Sequence, residues 1–312
     1  MTTLAQAVEV HRLAVAGRES AIAREIGDRV ARVWLRTSRF ADVAALAGAT
    51  LTLGPDAGAF YDRGWARRAT GQPRLALADY EQALALYREA DNRGDEAATL
   101  SNIGLVYAGV GDRQQALTYY QQALPIQRDI GDRAGEAVTL NNIGHAYDGL
   151  GDRQQALAYF QQALPIRREV GDRAGEGTIL NNIGAVHDNL GDRQQALAYY
   201  QQALPILREI GNRAGEAVTL SNIGLVYARL GDRQQALTYY QQALPIQWDI
   251  GDRVGEAVTR YNIATIHRAE GDLDQAISEL ERVVDLDQQV GHADLESDTA
   301  FLERVRRERA AR

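Results

Sequence analysis

The 312-residue sequence predicts an all-α solenoid of antiparallel helix pairs, and three observations carry that prediction. A period of 40 residues runs without slippage through five copies, 91–130, 131–170, 171–210, 211–250 and 251–290. Each copy holds two apolar faces with helical spacing, and a Gly-Asp type break separates one face from the next. Periods of 20–50 residues mark arrays in which one supersecondary unit is stacked many times. The segment GDRQQALTYYQQALPI occurs at Gly111–Ile126 and again, unchanged, at Gly231–Ile246, which points to recent duplication or consensus design. A sixth unit, 57–90, keeps the pattern with a shorter lead-in. Residues 1–56 are degenerate, although Ser38–Asp56 still scans as the second half of a unit. Residues 291–312 follow the array; Asp294–Arg312 reads as a capping helix there, and Thr2–Ala16 as its counterpart at the other end.

The copy 131–170 shows why each unit is two helices. Leu140, Ile143 and Tyr147 lie three and four apart, one apolar helical face. A break follows at Gly151-Asp152, after which Ala156, Phe160, Ala163 and Leu164 resume the helical spacing. Gly151 suits a left-handed C-terminal position, and Asp152 with Gln155 three residues on resembles a capping box for the next helix. Gly171-Asp172 closes the second helix in the same way. Gly144, Ala156 and Ala163 leave room for the two backbones to approach, and Tyr147, Tyr159 and Phe160 are expected to fill the spaces between neighbouring units. No unit buries its apolar faces alone, so stability comes from stacking on neighbours.

Composition removes several classes of function. All 34 basic residues are arginine and there is no cysteine, which excludes a lysine Schiff base, a P-loop lysine, disulfides, thiolate metal sites and cysteine nucleophiles. The net charge of −8 argues against nucleic acid, since phosphate binding draws on concentrated positive charge. No apolar run approaches the ~18 residues of a membrane span, and Glu9, His11 and Arg12 interrupt any signal-like stretch, so a cytoplasmic protein is expected. GxSxG, P-loop, GxGxxG and HExxH motifs are missing, so no catalytic residue, metal ligand or cofactor is assigned. Most acidic residues fall where turns or exposed helix surface are expected.

The pattern large–Gly–aromatic in the first helix and Ala–aromatic–Ala in the second falls on Leu100, Gly104, Tyr107, Ala116, Tyr120 and Ala123, and most of these positions recur every 40 residues. Over roughly residues 38–290 this resembles the tetratricopeptide repeat (TPR) family. The 40-residue unit is similar to the longer-helix variant of kinesin light chains and bacterial multi-repeat proteins, in keeping with an arginine-, alanine- and glycine-rich composition. The resemblance implies a right-handed superhelical solenoid. The family's helix-ending proline matches only Pro55; elsewhere a proline sits inside the second helix, at Pro125, Pro165, Pro205 and Pro245. Two readings are open: a shared bend of that helix, or one tolerated proline copied by duplication.

The resemblance also places the concave surface on the first helix of each unit, with Val138, Asn142, His145 and Gly149 in one stripe and Asn141 and Asp148 beside it. Asn102, Asn142, Asn182, Asn222 and Asn262 are the same residue in five successive units, with Asp62 in the sixth; Asn141 and Asn181 flank two of them. An asparagine amide carries both donor and acceptor, so a ladder of them can grip an extended backbone. The alternative is that each bonds an adjacent helix. Specificity would come from two varying rows, Leu105, His145, Ala185, Leu225, Thr265 and Ala108, Asp148, Asp188, Ala228, Arg268. Asp148 and Asp188 would make the middle of the groove acidic and favour a basic ligand; solvated surface residues are the alternative. His145, His187 and His267 read as packing residues rather than metal ligands.

The function expected is therefore a protein-interaction scaffold that holds an extended peptide or helix, not an enzyme. Two other readings stand beside it. The array could be the C-terminal sensor of a bacterial signalling protein, of the STAND NTPase or protease type. It could also be a self-assembling or designed scaffold, whose basic tail (Arg304, Arg306, Arg307, Arg309, Arg312) makes head-to-tail contacts with an acidic body.

Overall fold

The computed structural model describes residues 3–312, so Thr2 of the expected N-terminal cap lies outside the described residues. Among them there are only helices: α1 (Leu4–Ala16), α2 (Ser20–Arg36), α3 (Phe40–Leu51), α4 (Ala57–Ala69), α5 (Pro73–Glu89), α6 (Arg93–Gly109), α7 (Arg113–Asp129), α8 (Arg133–Gly149), α9 (Arg153–Glu169), α10 (Arg173–Leu190), α11 (Arg193–Glu209), α12 (Arg213–Leu230), α13 (Arg233–Ile250), α14 (Arg253–Glu270), α15 (Leu273–Val290) and α16 (Leu295–Ala310). They gather into two compact units, residues up to 166 and from 167 onward.

The turns have the chemistry that the Gly-Asp pairs require. At the end of α6 the Gly111 N–H donates to Ala108 O and the Asp112 N–H to Tyr107 O, the paired bonds of a Schellman motif, with Gly111 at φ 86°. The Asp112 side chain then accepts from the Gln115 N–H at 3.0 Å and caps α7. Asp132, Asp152, Asp172, Asn212, Asp232, Asp252 and Asp272 do the same for their helices. The reciprocal glutamine contact of a full capping box is formed at α1, between Thr3 and Gln6. Two residues thus end one helix and start the next, which is why antiparallel pairs form with no intervening loop.

Within a pair, the closest approach is an aromatic ring over a glycine. A Cβ added to Gly104 would meet Tyr120 Cε1 at 2.5 Å, and one on Gly144 would meet Phe160 Cε1 at 2.6 Å. Gly64 with Tyr80, Gly184 with Tyr200 and Gly224 with Tyr240 repeat the contact. The unit 251–290 solves the same packing differently: Ala264 replaces the glycine and Leu280 replaces the ring, both fully buried. A second contact stacks Tyr107 on Tyr119, Tyr147 on Tyr159, His187 on Tyr199 and Tyr227 on Tyr239, at 5.4–5.5 Å between centroids. In 57–90 those two positions are Arg67 and Asp79, joined by an ion pair at 2.7 Å. Tyr147, Tyr159 and Phe160 therefore first join the two helices of one unit, because the short turn brings their rings together, and the equivalents of Phe160, Tyr80 and Tyr200, also reach the core shared with the next unit. His187 does take the packing role read for it.

Neighbouring pairs share a core. Ala76, Tyr80 and Leu84 of α5 pack with Leu100 and Ile103 of α6 and Ala123 of α7 in one cluster, and Tyr200, Leu220, Ile223 and Ala243 belong to another. At the C-terminal end α16 buries Phe301, Leu302 and Val305 against Ala264, Ile277 and Leu280. The interior prolines all sit on the exposed side of their helices, as do the residues four before them. Each carbonyl left without an N–H donor can therefore be hydrated, which accommodates the proline without breaking the helix.

Acidic side chains were expected at turns or exposed surface, but Glu96, Glu136, Glu176, Glu216 and Glu256 are buried to 6% exposure or less. Each lies in the first turn of its helix and is clasped by arginines. Glu216 takes Arg208 from the end of the preceding helix and Arg213 from its own, both at 2.8 Å. Arg88 and Arg93 hold Glu96, Arg128 and Arg133 hold Glu136, and Arg168 and Arg173 hold Glu176. The carboxylate at a helix N-terminus also meets the positive end of the dipole. At Glu96, Glu136, Glu176 and Glu216 this clasp fastens the second helix of one unit to the first of the next, whereas Glu256 is held by Arg253 and Arg260 of its own helix.

Two predictions follow from this packing. Gly144→Ala should cost about 1–3 kcal/mol in chemical denaturation through overpacking against Phe160, and Phe160→Leu in the same chain should recover most of it, as the Ala264–Leu280 pair does naturally. Replacing both Arg208 and Arg213 by Ala strands a buried carboxylate and should cost about 3–5 kcal/mol, whereas Glu216→Gln should cost clearly less.

Candidate functional site

The faces of α6, α8, α10, α12 and α14 carry the residues singled out from the sequence. Val138, Val218 and Val258 are exposed at 40%, 45% and 53%, an apolar row one turn before the asparagines. Asn102, Asn142, Asn182, Asn222 and Asn262 are all half-buried, as are Asn141 and Asn181. In the first compact unit, Leu105, Ala108, Arg113, Asn142 and His145 line one cleft of about 310 Å³. The stripe and both varying rows read from the sequence meet there, joined by Arg113, whose chain lies across the bare Cα of Gly149. Arg113 was not read as a site residue. It belongs to the turn motif Gly-Asp-Arg, and only the turn's geometry swings it over the groove.

The asparagines also bond laterally. Asn102 Nδ2 donates to Tyr61 Oη at 2.8 Å and to Ala98 O at 3.0 Å. Asn222 Nδ2 donates to Asn181 Oδ1 at 3.5 Å, and the same Oδ1 accepts from Thr219 Oγ1 at 3.1 Å. The amide hydrogens thus tie one unit's first helix to the next, so at these rungs the bond to an adjacent helix is formed.

Charge on this face differs from the sequence reading. Asp188 is 8% exposed and ion-paired with Arg229 of the following unit, so it presents a neutral pair rather than a free carboxylate. Asp148 is half-buried beside His145. The rim of His145 is exposed while its ring edge meets Phe160; partial burial pulls its pKa down from the ordinary value, and Asp148 opposes the pull. Arg268 of the same row is bound by Glu308 of α16 at 2.5 Å. Arg306 pairs with Glu281 and Glu303, Arg309 with Asp274, and Arg312 donates to Gly271 O, so much of the basic tail is bound within its own unit. Asp62, on the ladder register, is pushed up to about 7 by burial and by Asp28 and Asp56, against the pull of Arg32.

Among the described residues no group of three His, Asp or Glu side chains could hold a metal ion, and no helix is long and apolar enough to cross a membrane.

The tetratricopeptide repeat family model matches residues 95–169, 175–247 and 217–289. No curated protein matches the chain by sequence. Solved structures do. A Signal Transduction ATPase with Numerous Domains (STAND) protein with a TPR sensor, from Pyrococcus horikoshii, is 17% identical with a TM-score of 0.74; the match covers 92% of this chain and 44% of that one. A Rap protein complexed with Competence and Sporulation Factor is 14% identical with a TM-score of 0.60, covering 99% and 98%. Aspartyl phosphate phosphatase F from Bacillus subtilis is 11% identical with a TM-score of 0.65, covering 98% and 94%. At these identities the likeness is one of fold, the all-α TPR solenoid.

Asp62 supplies a pH test. Its folded pKa lies above its ordinary value of 3.8, so the folded state holds this proton more tightly. The associated stability is present below about pH 4 and lost as pH rises through 7. Asp62→Asn, which restores the residue found at the same register elsewhere, should raise Tm at pH 8 and leave it nearly unchanged at pH 4.

Proposed function

The chain belongs to the tetratricopeptide repeat family, and on that footing we propose that it is a protein-interaction scaffold which receives an extended peptide on the faces of its first helices. The carrying observation is the cleft where Leu105, Ala108, Asn142, His145 and Arg113 converge beside the exposed valine row. Apolar side chains supply area, and a few placed polar groups orient the ligand. The asparagine grip takes a specific form. Both hydrogens of the Asn102 amide are used by Tyr61 and Ala98, which leaves its Oδ1 to accept a backbone N–H from the ligand. The ladder thus reads main chain through its acceptors, while Leu105, His145 and Asp148 and their counterparts read side chains. The pairing of Asp188 with Arg229 leaves Asp148 as the acidic element of that row.

What supports a peptide ligand beyond the geometry is the neighbour solved with Competence and Sporulation Factor. The neighbour described as a TPR sensor supports a second reading, in which the array senses a partner on behalf of a longer signalling protein; this chain spans 44% of that one. In both readings the chain binds rather than catalyses.

A display library of random extended peptides tests the proposal. Peptides enriched on the wild-type chain should bind Asn142→Ala at least tenfold more weakly by fluorescence anisotropy, with helicity and Tm preserved. Unchanged affinity would remove the asparagine row from the site.

A further inference from the structure

A second cleft, of about 140 Å³, lies in the C-terminal compact unit between the N-terminal turns of α14 and α16. Val254, Ala257, Val258 and Tyr261 form its apolar wall; Asp287 at the end of α15, and His292, Asp294 and Asp298 leading into α16, form the other. Asp287 is 2% exposed, and its Oδ2 is buried with no hydrogen-bond partner. Its Oδ1 has His292 Nδ1 at 3.9 Å, too far for a hydrogen bond.

The repeat shows what is unusual. The residues one and four periods earlier, Gln247 and Gln127, are also buried and each leaves its Oε1 without a partner, but both are neutral amides whose Nε2 meets hydroxyls. Gln247 Nε2 donates to Thr259 Oγ1 at 3.0 Å and to Ser221 Oγ at 3.4 Å, and Gln127 donates to Ser101. In the last unit Tyr261 stands where those serines stand, and Thr299 turns its hydroxyl to Leu295 O on its own helix. The serine hydroxyl is gone, the threonine hydroxyl is turned away, and the amide has become a carboxylate. A buried carboxylate without a donor is costly, and a cation is the natural complement. Beside Asp287, Asp298 is pushed up to about 6, by burial first and then by the nearness of that carboxyl.

We infer that this cleft is a binding pocket for an arginine side chain of a partner polypeptide. Asp287 and Asp298 receive the planar guanidinium edge-on, Asp294 adds charge at the mouth, and the alkyl stem lies along Val254 and Val258 with Tyr261 behind it. A guanidinium suits the place better than an ammonium, since it is less strongly hydrated and offers parallel donors to paired carboxylates. No arginine or lysine of the chain lines the cleft, and Arg306, Arg309 and Arg312 of the tail are already bound elsewhere, so a partner's arginine is favoured over a second copy's. The residues do not come together as metal ligands. The inference goes beyond the asparagine row and does not rest on it.

The test compares acetyl-Gly-Arg-Gly-amide with its citrulline and lysine counterparts by calorimetry, on the full chain. The arginine peptide should bind at least tenfold more tightly than the citrulline peptide and several-fold more tightly than the lysine peptide. Asp287→Asn should abolish the preference while leaving Tm equal or higher, because it removes an unpaired buried charge. Asn142→Ala should leave the preference intact, which separates this site from the peptide face proposed above. Equal binding of arginine and citrulline, equal binding of lysine, or a preference surviving in Asp287→Asn would each overturn the assignment. So would a dimer seen by sedimentation and dissociated by Asp287→Asn, which would seat a second copy in the cleft.

Discussion

The seat of an aromatic ring on a bare glycine Cα sets the distance between the two helices of each unit, and much else in the molecule depends on that distance. With Tyr120 or Phe160 against the backbone of the facing helix, the next positions along the pair must also touch. They are filled by whatever completes a close contact: stacked tyrosines, a histidine on a tyrosine, or the Arg67–Asp79 ion pair. Such stacks contribute about 0.5–1.5 kcal/mol beyond the area they bury. The close spacing thereby accepts several chemistries at its second contact while demanding a matched pair at its first. The change from glycine and ring to Ala264 and Leu280 preserves that match in a single chain.

Lateral order comes from polar groups, and this bears on function. Four of the buried glutamates, Glu96, Glu136, Glu176 and Glu216, fasten their unit to the one before, and Asn102 and Asn222 repeat the link on the face of the first helices. Residues proposed to face a ligand are therefore also structural, and at Asn102 both amide hydrogens are committed to the array. Fixing a side chain before a partner arrives lowers the ordering cost of binding.

The unit 251–290 departs from the others in what packs on it, which is α16. Where Gln247 closes its buried register by donating to hydroxyls of α12 and α14, the unit 251–290 presents Asp287 to a cleft beside α16. Terminal units of solenoids are free to diverge, since they bury only one side against a repeat. Here the divergence falls in charge as well as in shape.

The sequence by itself determined the helix pairs, the turns and the unit length, because these are local: a Gly-Asp pair caps on both sides using only its own neighbours, and a 3.6-residue face needs no partner to be recognised. Which glycine meets which ring was decided by packing: the rings were expected between units, and the short turn seats them on the glycines of their own unit. The tertiary structure alone decided the fate of charges. Asp148 and Asp188 hold equivalent positions, yet Asp188 is paired because position 229 is arginine, 41 residues on. Glu216 is buried because arginines from two helices converge on it, and Asp287 Oδ2 has no partner because no side chain packed around it turns a donor to that oxygen. Ionic partners are set by side chains meeting across units, which spacing along one helix does not encode, and the part of the site that depends on charge was therefore legible only once the helices were packed.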